Sequence, residues 1–160
     1  MDSEYTALKR DFHDGSPGGI GGGFRWDAVA HVPYKQDGSA SFKDVSRQVL
    51  FQEPGMGCEL RYFEMDAGGY STLERHEHAH AVMILRGRGH CLLGDAVATV
   101  KPFDLVTIPP WTWHQFRATQ DEKLGFLCMV NQQRDRPQLP TAQELAALQS
   151  VPAIARFLEG

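Results

Sequence analysis

The stretch GGYSTLERHEHAHAVMILRG, residues 68–87, decides the fold of this chain. Its centre, residues 73–80, holds three histidines and two glutamates. On each side lies a short segment in which polar and apolar residues alternate, a pattern typical of β-strands. Imidazoles and carboxylates crowded between two strands indicate either a solvated turn or a metal site. The directions of the side chains decide between the two.

Alternation assigns a direction to each side chain of this cluster. Glu74 and His76 share one face of the first strand, and His80 starts the matching face of the second. A turn over residues 77–79 joins the strands, so His78 need not point inward. An inward carboxylate is costly unless it is paired or binds a metal, and carboxylate with imidazole suits divalent transition metals. A metal site is therefore predicted, and a salt bridge from Glu74 to an inward cation is the alternative.

A further ligand has to come from another part of the chain. His114 follows the rigid Pro109–Pro110 pair and starts a predicted strand, so its position is preset. His13 lies in a glycine-rich segment, His31 precedes the strands, and His90 is predicted to lie on a strand surface. His114 is therefore the best candidate for the remaining ligand.

The rest of the chain predicts an all-β domain. From residue 42 to residue 131, about nine short strands alternate with glycine, proline and aspartate turns, at the spacing of a sandwich or barrel. Residues 1–23 are predicted to be a flexible arm, because residues 13–23 contain six glycines and one proline. The barrel is expected over residues 24–135. Residues 136–160 are expected to be a helical segment that packs on it, starting at a capping box.

Composition excludes several classes of function. The chain has 160 residues, a net charge of −4 and no basic patch, so a nucleic-acid partner is not expected. It has neither a membrane-spanning apolar run nor a secretory signal, which predicts a cytoplasmic protein without a membrane partner. Cys58, Cys91 and Cys128 lie far apart in apolar stretches. They are predicted to be reduced buried thiols, with a catalytic or metal-binding cysteine as the alternative.

Two motifs resemble those of small single-domain cupins. The first family motif is Gly, five residues, His-x-His, three residues, Glu, six residues, Gly. Here its spacing is met by Gly68, Glu74, His76, His80 and Gly87, with Glu and His exchanged at two positions. The resemblance covers about residues 50–131.

The second cupin motif is more degenerate. It runs Gly, five residues, Pro-x-Gly, two residues, His, three residues, Asn. Pro109 and His114 fit this pattern, whereas Phe103, Trp111 and Ala118 stand where Gly, Gly and Asn are expected.

The resemblance implies a double-stranded β-helix, the jelly-roll barrel of cupins, with short C-terminal helices. It also implies one divalent transition metal per chain, either iron, manganese, nickel or zinc. The implied ligands are Glu74, His76, His80 and His114, with His78 as a fifth or substitute ligand. One carboxylate and three imidazoles match the composition of the usual cupin site, but the anionic ligand occupies a different corner.

The segment PPWTWH resembles the second motif of gentisate-type ring-cleaving dioxygenases. A small organic substrate that is aromatic or planar is therefore expected, in a pocket walled by Trp111, Trp113, Phe116, Val82 and Ile84. The alternative for the two tryptophans is packing at the barrel mouth. The leading hypothesis is a metal-dependent, dioxygenase-like oxidoreductase. The alternatives are a metal-dependent isomerase or lyase on a sugar or keto acid, and a non-catalytic small-ligand binding protein. A homodimer is also expected, because the strand over residues 45–51 would otherwise leave an exposed edge.

Overall fold

A computed structural model describes residues 8–15, 22–35 and 41–160, and the chain folds as an antiparallel β-barrel followed by two helices. The strands are β1 (Phe12–His13), β2 (Arg25–Trp26), β3 (Val32–Pro33), β4 (Lys43–Gln52), β5 (Cys58–Tyr70), β6 (His80–Arg86), β7 (Gly89–Leu93), β8 (Ala96–Val100), β9 (Leu105–Ile108), β10 (His114–Ala118) and β11 (Leu124–Asn131), and the helices are α1 (Ala142–Gln149) and α2 (Pro152–Glu159). The predicted fold class, a cupin-type jelly roll with short C-terminal helices, is confirmed.

One curled sheet forms the barrel in the described part of the chain. Its order is β8-β7-β10-β5-β11-β6-β9, with β4 paired to β5 and β3 paired to β4. Strand β5 is long enough to pair with β4 and β11 and to reach β10 at its end, and this makes the sheet curl. Alternate residues of β5, β6 and β11 point inward and form the main core, for example Phe63, Ile84 and Phe126. The metal-site residues lie at one end of this interior.

The structure corrects the predicted hairpin around the histidine cluster. The alternating segment before the cluster, residues 70–76, was expected to be a strand, whereas β5 ends at Tyr70 and residues 71–79 form no regular strand. Glu74 instead exchanges two backbone hydrogen bonds with His114 (N···O 3.2 and 3.0 Å). His80 starts β6, which pairs with β9 and β11 rather than with residues 70–76. The cluster thus lies where the segment after β5, the start of β6 and the start of β10 meet, and not at the end of one hairpin.

Part of the predicted flexible arm has regular structure. Within residues 1–23, Phe12 and His13 pair with Trp26 and Arg25 in a two-residue ladder. The Phe12 ring packs edge-on against Phe24 at 4.8 Å between centroids. Residues 1–7 and 16–21 lie outside the described part of the chain. The boundaries at residues 23 and 135 stay predictions.

The two helices form a second, smaller core with the outer face of the barrel. The predicted capping box is confirmed, because the Thr141 hydroxyl accepts from the Glu144 N–H and the Glu144 carboxylate accepts from the Thr141 N–H. In α2, Ile154 and Phe157 are buried against Leu92 of β7. In the described residues, no helix has the length and apolar character needed to span a membrane. The homodimer stays a prediction.

Two residues that replace the glycines of the second motif carry backbone strain. Phe103 has φ of 72° and Trp111 has φ of 60°, which is the left-handed region where a side chain costs about 1–2 kcal/mol. The Phe103 side chain is 78% exposed, so it contributes little packing that would offset this cost. The glycine conformation of the motif is thus kept although the glycines are absent.

We therefore expect Phe103→Gly to leave the free energy of unfolding unchanged or to raise it by up to about 1 kcal/mol. The relief of strain offsets the added freedom of the unfolded chain. Leu105→Gly is the matched control, because Leu105 is also exposed but lies in β9, where glycine costs about 1 kcal/mol. Urea denaturation of both variants measures the difference. Equal losses of stability would contradict this account of Phe103.

Candidate metal centre

Three histidines converge at one end of the barrel. His76 comes from the irregular segment after β5, His80 is the first residue of β6, and His114 is the first residue of β10. Their ring nitrogens lie within 4.8 Å of one another. His76 and His114 are buried and His80 is half-buried. These three residues could hold a metal ion.

Hydrogen bonds fix how two of the rings face the centre. Nδ1 of His76 lies 2.7 Å from the carbonyl oxygen of His78, and Nδ1 of His114 lies 2.9 Å from that of Thr112. A carbonyl only accepts, so each Nδ1 carries the proton and donates, which leaves Nε2 with a free lone pair. Nε2 of His80 is buried without a hydrogen-bond partner. Three such nitrogens form a donor set that suits a divalent transition metal.

Burial keeps these imidazoles neutral. Desolvation, together with a smaller effect of the nearby His114, lowers the pKa of His80 to about 2 and that of His76 to about 4. Desolvation also lowers the pKa of His114. A neutral imidazole is the form that binds metals, so the folded protein presents the correct protonation state at neutral pH.

This leads to a prediction for the metal-free protein. The histidine pKa values are lower in the folded chain than the unfolded value near 6.5, so the unfolded chain binds more protons as the pH falls below it. Stability should therefore fall between pH 7 and pH 5, by on the order of 3 kcal/mol. Thermal unfolding of chelator-treated protein at both values measures this. His80→Gln should reduce the fall, and the exposed-site variant His90→Gln should not. A fall that His80→Gln leaves unchanged would contradict the assignment.

Glu74 does not join the three histidines. Its carboxylate lines the same cavity, but Oε2 lies 2.5 Å from Nζ of Lys35 and Oε1 accepts from the Tyr34 hydroxyl at 3.4 Å. The inward cation that was the alternative for Glu74 is therefore present, and it is Lys35. A divalent ion held by three neutral imidazoles would keep its full charge. It would therefore be a stronger Lewis acid than an ion held by the predicted set, which includes a carboxylate.

His78 lies beside the histidine group rather than in it. Its ring stacks on His76 with 3.6 Å between centroids, and its Nδ1 lies 2.6 Å from Asp135 Oδ1. The Asp135 carboxylate also accepts the backbone N–H groups of Glu77 and His78. This carboxylate therefore fixes the turn that follows His76.

Most of the predicted pocket walls lie elsewhere. Phe116 lines the cavity that contains the histidines, but the other four residues are not among its described lining. Val82 and Ile84 are fully buried in the main core. Trp113 packs in the second core with the helices, with the Arg75 guanidinium 4.4 Å above its ring. These contacts correct the expectation of a stacking wall and favour the packing alternative for Trp113.

Trp111 is half exposed, and it contributes its backbone to the site. Its N–H donates to the carbonyl oxygen of His76 at 2.7 Å. This hydrogen bond thus links His76, one of the candidate ligands, to the segment that precedes β10.

The cavity contains a thiol that the sequence analysis left among the buried cysteines. Cys128 is buried on β11, and its Sγ lies 3.3 Å from Nδ1 of His80 and 3.3 Å from a terminal nitrogen of Arg61. Burial raises the pKa of this thiol, and the Arg61 guanidinium opposes the rise. All three cysteines are free, and Cys91 is buried while Cys58 is half-buried. Alternation with Phe126 and Val130 already places Cys128 on the inward face.

Four cationic side chains also line the cavity, and none was predicted. They are Lys35, Arg47, Arg61 and Arg134. The signal was present in the sequence, because Arg47 alternates with inward valines and Arg61 alternates with Phe63 and Met65.

Comparison with known proteins now identifies the family. The chain is 61% identical over 137 residues to 1-methylthio-D-xylulose 5-phosphate methylsulfurylase of Rhodospirillum rubrum, which covers 86% of this chain and 88% of that protein. A cupin domain model matches residues 61–130. The chain belongs to the cupin family. The resemblance seen in the two motifs is thus confirmed.

Other cupins resemble the chain in different ways. A cupin 2 conserved barrel domain protein from Rhodopseudomonas palustris has a crystal structure that superposes with a TM-score of 0.83 at 56% identity, covering 94% of this chain and 98% of that one. A 5-nitrosalicylic acid 1,2-dioxygenase from Bradyrhizobium is 35% identical over 71 residues, which is 43% of this chain and 32% of that enzyme. These matches support a cupin enzyme in general terms.

Proposed function

We propose that this cupin cleaves the carbon–sulfur bond of a 1-methylthio-pentulose 5-phosphate and transfers the methylthio group to a thiol. The proposal follows the R. rubrum relative, which matches almost all of the chain. One observation carries it, namely that the Cys128 thiol lies in the cavity, 3.3 Å from a histidine of the candidate metal centre. A thiolate attacks sulfur readily, and Cys128 is the cysteine among the described cavity residues.

The substrate class explains why a metal site and a thiol belong together. A pentulose has a ketone at C2, next to the C1 carbon that carries the methylthio group. When the C1–S bond breaks towards carbon, its electron pair spreads onto the C2 oxygen as an enolate. A bound divalent metal supplies the positive charge that stabilises a negative oxygen of this kind.

Cys128 accepts the methylthio group in the proposed step. Its sulfur, as the thiolate, attacks the methylthio sulfur, a new S–S bond forms and the C1–S bond breaks. The thiol gives up one proton and C1 takes up one proton, so the products are a 1-deoxypentulose 5-phosphate and a methyl disulfide on Cys128. The guanidinium of Arg61, which donates to Sγ, stabilises the thiolate.

A second thiol has to regenerate Cys128. Attack by a small-molecule thiol on the methyl disulfide releases Cys128 and forms a mixed disulfide that carries the methylthio group. The carbon skeleton is reduced by two electrons at C1. Over the cycle these electrons come from the sulfur of the small-molecule thiol and the sulfur of the methylthio group, which end joined as a disulfide, while Cys128 returns to its thiol form. The cycle therefore needs a thiol co-substrate and no oxygen.

A ring-cleaving dioxygenase is the second candidate. It is one form of the metal-dependent, dioxygenase-like oxidoreductase that was the leading hypothesis from sequence. A three-histidine centre and the match to the Bradyrhizobium enzyme favour it. That match spans less than half of this chain. The four cations of the cavity suit the dianionic phosphate ester of the first candidate.

The test is a product assay with the metal-loaded protein. The protein is incubated with 1-methylthio-D-xylulose 5-phosphate and a small thiol under nitrogen, and proton NMR follows the S-methyl and C1 signals. We expect the S-methyl signal to move to a disulfide and a C1 methyl group to appear. An unchanged spectrum would sink the proposal. Oxygen uptake with a salicylate or gentisate in a parallel sample would favour the dioxygenase.

A further inference from the structure

The four cations that line the cavity differ in their partners. Lys35 is paired with Glu74. Arg61 and Arg134 share the buried carboxylate of Glu59, at 3.5 and 2.8 Å. The 3.5 Å contact is close enough for an ion pair but is not aligned as a hydrogen bond, because Nε of Arg61 has no hydrogen-bond partner. Each of these three cations is thus at least partly neutralised by the protein itself.

Arg47 is the exception among the described residues. No ion pair or side-chain hydrogen bond joins its guanidinium to another described residue, although its Nε is fully buried and the side chain is half-buried. A buried donor without a partner destabilises the folded protein, and it does so more strongly when the group is charged. A cation held in this way inside a cavity indicates an anionic ligand that completes its hydrogen bonds.

The register of the sheet places Arg47 at a suitable distance from the reacting end. Arg47 lies opposite Phe63 of β5, and Phe63 lies opposite Phe126 of β11, so all three share the inward face. Cys128 is two residues further along β11. Two strand spacings separate β4 from β11, about 10 Å in total. A five-carbon chain with a terminal phosphate spans a similar length, on the order of 8 Å at ordinary bond lengths.

We infer that Arg47 is the specificity-determining residue that binds the 5-phosphate of the substrate, on the side of the cavity formed by β4. This inference rests on the proposed function and deepens it. The planar guanidinium can donate two parallel hydrogen bonds to one phosphate, and Arg61 and Arg134 add positive charge nearby. A dephosphorylated sugar would leave Arg47 without a partner, so the protein would select phosphorylated pentuloses.

Binding measurements test this without relying on turnover. Isothermal titration calorimetry with D-xylulose 5-phosphate and with D-xylulose compares the unchanged protein with Arg47→Met, Arg47→Lys and Arg88→Met. Arg88 is an exposed arginine outside the cavity and serves as the matched control. We expect Arg47→Met to weaken binding of the phosphate ester at least about tenfold and to leave binding of the free sugar unchanged. Arg47→Lys should recover part of the loss.

The outcomes separate this inference from the proposed function. Equal binding of D-xylulose 5-phosphate by Arg47→Met and the unchanged protein would overturn the role of Arg47. So would an equal loss for both sugars, or a failure of the unchanged protein to bind the phosphate ester. If the unchanged protein binds D-xylulose 5-phosphate through Arg47 but transfers no methylthio group, the phosphate site stands and the proposed reaction fails.

Discussion

Replacing His114 with alanine is expected to lower the metal content of the purified protein at least about tenfold. His114 supplies one of three neutral nitrogens, and the two that remain cannot hold a divalent ion firmly at one end of a barrel. The Thr112 carbonyl accepts from Nδ1 of His114 and so holds the ring with Nε2 free for a metal. Elemental analysis of the variant beside the unchanged chain measures the loss.

Glu74→Gln is the informative companion to this variant. The motif alone predicts that Glu74 binds the metal, whereas the structure pairs its carboxylate with Lys35. We therefore expect Glu74→Gln to keep most of its metal, as should the surface variant His90→Gln. Metal lost from Glu74→Gln as well as from His114→Ala would show that the motif-based ligand set, which includes Glu74, is the correct one.

Replacing Cys128 with serine is expected to lower methylthio transfer at least about a thousandfold, because the hydroxyl cannot form the disulfide that the reaction requires. The change removes only the sulfur chemistry, since serine is close in size to cysteine. The metal content should stay the same, which separates this effect from that of His114→Ala. Steady-state product formation and elemental analysis of the same sample measure both quantities.

Cys58→Ser is the control for this experiment. Cys58 is half-buried at the start of β5 and does not line the described cavity, so its replacement should leave turnover unchanged. Full activity of Cys128→Ser would contradict the role of Cys128 as the acceptor of the methylthio group, on which the proposed function rests.

The spacing of the two motifs predicted the barrel and the grouping of the three histidines, because this spacing reflects the backbone conformations that position those residues. Gly68 and Gly87 both have positive φ, and Phe103 and Trp111 keep the conformation of the glycines that they replace. The left-handed backbone conformation is thus present at these motif positions even where the residue is not glycine. The same logic assigned Glu74 to the metal site, whereas the structure pairs its carboxylate with Lys35.

The pairing of Glu74 with Lys35 could not be predicted, because the two residues are distant in sequence. Lys35 lies 39 residues away, and no local pattern indicates which cation will reach the carboxylate. The expected hairpin failed for a related reason, since backbone pairing with His114 holds the Glu74 segment. Tertiary contacts therefore overrode the alternation that assigned a strand to residues 70–76.

The cysteine and the arginines that line the cavity were not predicted, although the alternation of residues along their strands indicates that they face inward. Cys128, Arg61 and Arg47 each alternate with large apolar residues and are therefore inward-facing. Sequence reasoning treated such residues as core or surface by their type, because it could not tell which inward positions line a cavity. Only the fold brings β4, β5 and β11 side by side with the histidines.

The most direct test of the account is the intact mass of the metal-loaded protein after mixing with 1-methylthio-D-xylulose 5-phosphate in the absence of any added thiol. The account predicts a mass gain of one methylthio group per chain, located on the peptide that contains Cys128 and removed by a reducing agent. The deoxypentulose phosphate should appear in equal amount. Product formed without this adduct, or an adduct on Cys58 or Cys91 instead, would contradict it.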